Sequence, residues 1–306
     1  MKKFTAIVLA LVLLVSLSVS ALADGEAEKP IVDPSGAQIT APDEVDSIVV
    51  LAPSLAEMVT ALGHGDQIVG YDTNSVGLEG LDPEAPVFDL VNPDMERLAA
   101  LEPDLVLVSN MSLYDQQSPF QQLTDMGVCV ACVPNSDSIQ GIQDDIAFVA
   151  AVLGETEAGE KLVADMRTEL DRIAELGETV PEEDRKTVYF EISAAPYMYS
   201  FGTGVYMNEM IELIGAENIL ADQEGWLGVE AETVAAADPD VILTNVNYID
   251  DPVGEILSRD GWDGVTAVEG EQVYYIDNMA SSLPNQNIVT ALEQMGQAVY
   301  PEIFAQ

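Results

Sequence analysis

Histidine is almost absent from this chain: His64 is the only one among 306 residues. That excludes a transition-metal site built from several imidazoles. Cysteine is nearly as scarce, and Cys129 and Cys132 lie in an apolar run between Gly127 and Pro134 that reads as a buried strand. Side chains three apart on a strand face opposite sides of the sheet at roughly 10 Å, too far for a disulfide. Two core thiols are expected, not a redox or metal pair. Positive charge is the third shortage. Ten Lys and Arg stand against 54 Asp and Glu, a net charge of −44. Such a surface repels phosphate backbones and anionic membranes, so nucleic acid is excluded as a partner. An anionic ligand would also find few cations. Arg97, Arg167, Arg172 and Arg185 fall on predicted helices or a hinge loop, which leaves Arg259 as the candidate to grip an anion.

The one long apolar run comes first. Met1-Lys2-Lys3 leads into Phe4–Val19 and then the small-residue end Ala21-Leu22-Ala23. These are the three regions of a secretory signal peptide, residues 1–23, with cleavage expected after Ala23. The run is shorter than the roughly 20 residues of a spanning helix. No Cys follows the expected cleavage site to carry a lipid anchor. The mature chain is therefore expected to be soluble, at the periplasmic or extracellular face.

The chain also repeats itself. Glu96–Asn110 is echoed by Glu232–Asn245, with Glu96 over Glu232, Pro103 over Pro239 and Asp104 over Asp240. Each copy reads as a short helix stopped by Pro and followed by a buried strand, since Pro cannot continue a helix and unbroken apolar runs suit parallel sheets. The copies are too far apart for a solenoid. Two similar α/β lobes, with a cleft between them, are the economical reading.

The rest of the sequence fills in this plan. Residues 24–46 form an acidic tail and a hairpin turning at Asp33-Pro34-Ser35-Gly36. Residues 47–136 alternate strand, loop and helix, beginning with strand Ile48–Leu51 and a helix capped by Ser54 and closed by Gly63. Apolar residues at helical spacing, Ile139, Ile142, Ile146, Val149 and Val152, are interrupted at Gly154 and resume from Ala158, so a stiff connecting helix is expected over 137–177. Residues 178–306 repeat the alternation as a second lobe.

In this order the segments resemble substrate-binding proteins of ABC importers for cobalamin and ferric siderophores, the two-lobed type joined by one long α-helix. The marks are Asp33–Gly36, Val49–Glu57, Ala61–Gly70, Met95–Val106, Gly202-Thr203-Gly204 and Asn208–Ile219; the resemblance runs from Ile31 to the C-terminus. Asp46-Ser47 departs from the basic residue that many members carry before the first strand. The resemblance implies two Rossmann-like lobes with mostly parallel sheets and a ligand cleft between them. It implies a cobamide or ferric siderophore as ligand, an ABC permease with its ATPase as partner, a monomer, and neither cofactor nor catalysis. It also implies two docking glutamates facing arginines of the permease, by position Glu96 and Glu212, with Glu209 competing for the second place.

Open α/β sheets bind ligands at the C-terminal ends of their strands. Those loops are expected to present Pro53, Ser54, Tyr71, Asp72, Asn110 and Tyr114 from the first lobe, and Tyr197, Tyr199, Phe201, Trp226, Asn247, Tyr248 and Asn278 from the second. That is a dense aromatic rim for a chain that is 6% aromatic. Large flat ligands bind such surfaces by burying apolar area. A second class, an exported hydrolase using Ser54 and His64, lacks the Gly-x-Ser-x-Gly elbow. A third, a binding module feeding a sensor, would keep the cleft and dispense with docking.

Overall fold

The computed structural model describes residues 31–113 and 119–304. The expected signal peptide, the acidic tail up to residue 30 and Tyr114 lie outside the described residues. A short antiparallel hairpin opens the chain, β1 (Ile31–Val32) with β2 (Gln38–Ile39), and Gly36 takes the left-handed turn position at φ 91°.

The first sheet is wholly parallel, in the order β5-β4-β3-β6-β7, from β3 (Ile48–Leu51), β4 (Ile68–Asp72), β5 (Val87–Phe88), β6 (Leu105–Val108) and β7 (Cys129–Cys132). Every side chain of β3 and β6 is buried, which is what helices on both faces of a parallel sheet require. Helix α1 (Pro53–Ala61) follows β3, α2 (Met95–Ala99) leads into β6, and α3 (Gln121–Asp125) precedes β7. Cys129 and Cys132 are buried free thiols.

The second sheet is also parallel, in the order β10-β8-β12-β13, from β8 (Thr187–Glu191), β10 (Glu217–Asn218), β12 (Val241–Thr244) and β13 (Val273–Tyr275). A separate antiparallel ribbon pairs β9 (Tyr199–Phe201) with β11 (Trp226–Gly228). Helices α6 (Tyr206–Leu213), α7 (Ala231–Ala237), α8 (Pro252–Leu257), α9 (Thr266–Glu269), α10 (Asn278–Ser282), α11 (Ile288–Val299) and α12 (Pro301–Phe304) belong to this half.

The sequence repeat is one structural device used twice. After α2 and α7, Glu102 and Asp238 both turn left-handed at φ 49°, which ends the helix, and Pro103 and Pro239 prevent it from resuming. The Asp that follows then clamps the start of the neighbouring strand. Asp104 Oδ2 accepts from the backbone N–H of Asp46 and Ser47, each at 3.0 Å, ahead of β3. Asp240 Oδ2 accepts from the Thr187 N–H and hydroxyl at 2.8 Å, at the first residue of β8.

The connection departs from the expected single helix over 137–177. It is two helices, α4 (Ile139–Val152) and α5 (Thr156–Gly177), and Gly154 at φ 76° stands between them. They run antiparallel: Gly159 lies against Ala150, and Arg167 Nε donates to Gln143 Oε1 at 2.5 Å. Helix α4 packs on α1 and meets the second half at its start, where Glu209 of α6 accepts from the Ile139 N–H, while α5 packs on α6 and α11 and carries the chain across, over about 33 Å. Periodicity survives a reversal of direction, and only the glycine marks it. Helix α5 ends in close contact with the second half, where a Cβ on Gly177 would stand 2.2 Å from the Leu213 carbonyl oxygen.

Asp145 on α4 is buried and accepts from the Ser136 hydroxyl at 2.6 Å. Burial pushes its carboxyl up to about 6, from about 3.9 in an unfolded chain. The native state thus binds the extra proton, and this group costs stability increasingly as pH rises from about 4 to about 6. Asp145→Asn is expected to be more stable than the parent by about 2 kcal/mol at pH 7 and to lose that advantage below about pH 4. Urea denaturation at both pH values checks it.

Candidate functional site

The C-terminal ends of the two sheets come together at α1. Glu57, one turn into that helix, accepts from Asn285 Nδ2 at 2.6 Å through Oε2, and Asn285 lies in the loop after α10 with no exposed surface. The two edges are chemically distinctive. Among the described residues, every exposed large apolar side chain except Val32 and Met126 stands on a loop, ribbon or strand end at these edges. The first edge carries Val76, Val91 and Met111, on the segments that follow β4, β5 and β6. The second carries Tyr197, Tyr199, Trp226, Tyr248 and Tyr275. Soluble proteins rarely leave apolar side chains clustered on one face without use.

The aromatic edge is built on a hairpin. The Ile192 N–H donates to the Tyr199 carbonyl at 3.0 Å and the Tyr199 N–H to the Ser193 carbonyl at 3.2 Å, which leaves Tyr197 at the tip, 85% exposed. Tyr248 arrives from the loop after β12. Its hydroxyl accepts from the Ala194 N–H at 2.9 Å and pairs with the Ser193 hydroxyl at 3.1 Å. Trp226 packs edge-on against Phe201 with centroids 5.8 Å apart, and Phe201 rests on Phe190 at 5.7 Å. Trp226 is thereby fixed to the core from beneath, and Tyr248 is pinned to the hairpin.

A family model described as periplasmic binding protein matches residues 48–280. The chain belongs to the periplasmic binding protein family. A relative from Bacillus subtilis, an uncharacterised ABC transporter substrate-binding lipoprotein named YvrC, is 30% identical over 89% of this chain and 85% of its own. Molybdate-binding protein MolA of Haemophilus influenzae is 28% identical over 95% of this chain and 89% of its own. The solved molybdate-bound MolA superposes with a TM-score of 0.77 over 90% of this chain and 93% of that one, at 24% identity. A cobalamin-binding protein of Halobacterium salinarum is 28% identical over 74% of this chain and 61% of its own. This periplasmic binding protein is the solute-binding component of an ABC transporter and not an enzyme.

Several residues expected on the rim of the binding protein are inside it. Tyr71 is 2% exposed because its ring joins the core and its hydroxyl donates to the Asp82 carbonyl at 3.1 Å, tying down the loop before β5. Asp72 is fully buried and caps that loop, accepting from the Asn74 N–H at 2.8 Å and the Ser75 hydroxyl at 2.5 Å; burial raises its carboxyl pKa and the Ser75 bond offsets part of the rise. Phe201 is fully buried because the expected loop is strand β9, whose partner β11 lays Trp226 over it. Ser54 is buried within α1 and Pro53 half-buried at its first turn. Asn110, Asn247, Tyr197, Tyr199, Trp226 and Tyr248 are exposed at the edges. Asn278 Nδ2 donates to the Asn245 carbonyl at 2.7 Å.

Arg259 is not free to grip an anion. It is 8% exposed and forks onto Glu191 through two bonds of 2.7 and 2.9 Å, pairs also with Glu255, and lies 4.3 Å over the Trp262 ring. His64 is equally engaged, with Gln67 at one nitrogen and Glu155 at 3.3 Å from the other, so it forms no triad with buried Ser54. Glu96 and Glu212 are exposed, whereas Glu209 Oε2 accepts from the Ile139 N–H at 2.8 Å and caps α4. Val76, Val91 and Met111 were not anticipated. Their signal was an apolar residue beside Ser or Asn just after each strand: Ser75-Val76, Val91-Asn92 and Asn110-Met111-Ser112.

Proposed function

We propose that this protein captures a cobamide-type metal complex between its lobes and delivers it to an ABC permease. The reading is carried by the concentration of exposed apolar side chains on the two sheet edges that meet at Glu57 and Asn285. Aromatic rings that each bury 150–250 Å² when covered, at roughly 25 cal/mol per Å², suit a broad, flat ligand. Pro53, Asn110, Asn247 and Tyr248 lie within reach of those edges as polar or shaping contacts; Tyr114 is assigned there by its place after β6. A cobalamin-binding protein among the relatives supports the ligand class. A ferric siderophore is less well served, because the loops at these edges carry no arginine.

One observation favours a second reading. The first turn of α1 has no side-chain cap, its preceding residue being Ala52, and a helix N-terminus attracts anions. Together with the similarity to MolA, that suits a tetrahedral oxyanion. Titration of the purified protein with cyanocobalamin, a ferric siderophore panel, haem and molybdate, read by the fluorescence of Trp226 and Trp262, separates the two. Saturation by cyanocobalamin at submicromolar concentration supports the first reading. Saturation by molybdate alone replaces it with the second.

The sequence up to Ala23 has the pattern of an export signal, which supports a location at the outer face of the membrane. Among the described residues no helix is long and apolar enough to cross a membrane. Docking is assigned to Glu96 and Glu212, both exposed and each on a different half. Reversing them, Glu96→Arg with Glu212→Arg, is expected to abolish cellular uptake while leaving the dissociation constant within about threefold of the parent. Uptake at the parental rate would return the sensor module as the better role.

A further inference from the structure

We infer that the ligand edges act as a charge filter, accepting neutral and cationic forms of the complex and rejecting its anionic forms. This rests on the cobamide reading and adds the charge of the ligand to it. None of residues 73–86, 89–94, 109–113, 192–205, 219–230, 245–251 and 276–287, which make up the loops, the ribbon and α10 at the two edges, is Lys, Arg or His. The same segments hold exposed carboxylates beside the apolar side chains. Asp89 sits two residues from Val91 and holds its N–H at 2.9 Å. Glu224 flanks Trp226, while Asp250, Asp251 and Asp277 lie close to Tyr248 and Tyr275.

The cations of the described chain are committed elsewhere or distant. Lys161 pairs with Asp165, Arg167 with Gln143, and Arg172 with Glu169 and Glu293. Lys186 donates to the Val299 carbonyl at 2.6 Å, Arg259 is locked as described, and Arg185 borders a cavity at the far end of α5. Arg97 comes nearest, in the first turn of α2. Its guanidinium lies 5.3 Å over the Phe88 ring and donates to the Val87 carbonyl at 3.1 Å. Against this absence stand exposed aromatic rings whose negative faces attract cations. In a cleft a one-signed field is focused rather than diluted. Arg97 and the uncapped start of α1 oppose this field, but Arg97 is held at Phe88 and Val87 and the helix start carries only about half a charge.

The test uses one scaffold in three charge states: cyanocobalamin, its monocarboxylic acid, and the ammonium derivative made by coupling a diamine to that acid. The expected result at low salt is an ammonium form at least as tight as cyanocobalamin and a carboxylate form at least tenfold weaker. The gap should close near 1 M salt, where the screening length is about 3 Å. A carboxylate form bound within threefold of the ammonium form at low salt overturns the filter and leaves the cobamide reading standing. An ammonium form that binds undiminished to the Tyr199→Ala/Trp226→Ala double variant is held by net charge elsewhere, which also overturns it. Failure of all three to bind removes the cobamide reading and the filter with it.

Discussion

Trp226→Ala is expected to weaken ligand binding about thirtyfold with little loss of fold stability. Trp226 is 41% exposed at the aromatic edge, so a large part of its ring is available to a ligand, while its inner face is anchored on Phe201. A well-placed interface Trp contributes about 2 kcal/mol or more, and each 1.4 kcal/mol is tenfold in affinity. The ribbon itself is held by backbone pairing from Trp226 to Gly228, which an alanine retains. Phe190 beneath Phe201 keeps the core closed. Calorimetric titration of parent and variant with cyanocobalamin checks the affinity, and thermal unfolding checks that the fold survives. An unchanged dissociation constant would move the site away from the aromatic edge.

Arg259→Ala is expected to destabilise the protein by about 3–5 kcal/mol, a drop in Tm on the order of 10 °C. The cause is the partner left behind. Glu191 is 1% exposed at the end of β8, and burial already raises its carboxyl pKa, with Arg259 the principal restoring influence. Without the guanidinium, a buried carboxylate has no counter-charge and must take up a proton or draw in water. That penalty belongs to the ionised form. The deficit of the variant should therefore shrink as pH falls and Glu191 protonates, so thermal unfolding at about pH 5 should show a smaller gap to the parent than at about pH 8. Replacing both partners by apolar residues, Arg259→Met with Glu191→Leu, should recover most of the loss. A single variant as stable as the parent at pH 8 would show that Glu191 already reaches solvent.

The architecture was legible from the sequence because it rests on local rules. Ile48–Leu51 is a strand as expected, and the buried strands expected after Pro103 and Pro239 are Leu105–Val108 and Val241–Thr244. Pro103 and Pro239, each followed by a clamping Asp, identified the paired halves. The candidate site was legible only in part. Tyr197, Tyr199, Trp226 and Tyr248 were placed on an exposed edge, and the structure exposes them there. Tyr71, Asp72 and Phe201 also stand at strand ends, but they are buried. The connecting segment kept its apolar period across Gly154, and period carries no information about direction.

The sequence by itself determined two parallel α/β halves, an acidic composition and a set of loops at the C-terminal ends of the strands, because strand, helix and turn preferences act between residues a few positions apart. Which loop side chains stay exposed was decided only by the tertiary structure. Phe201 is covered by Trp226 from another strand, and Arg259 is held by Glu191, 68 positions away. The edges themselves are joined by a bond between Glu57 and Asn285, 228 positions apart. Burial and charge pairing act through space, and the chain order of such partners is set by the fold rather than by any local pattern.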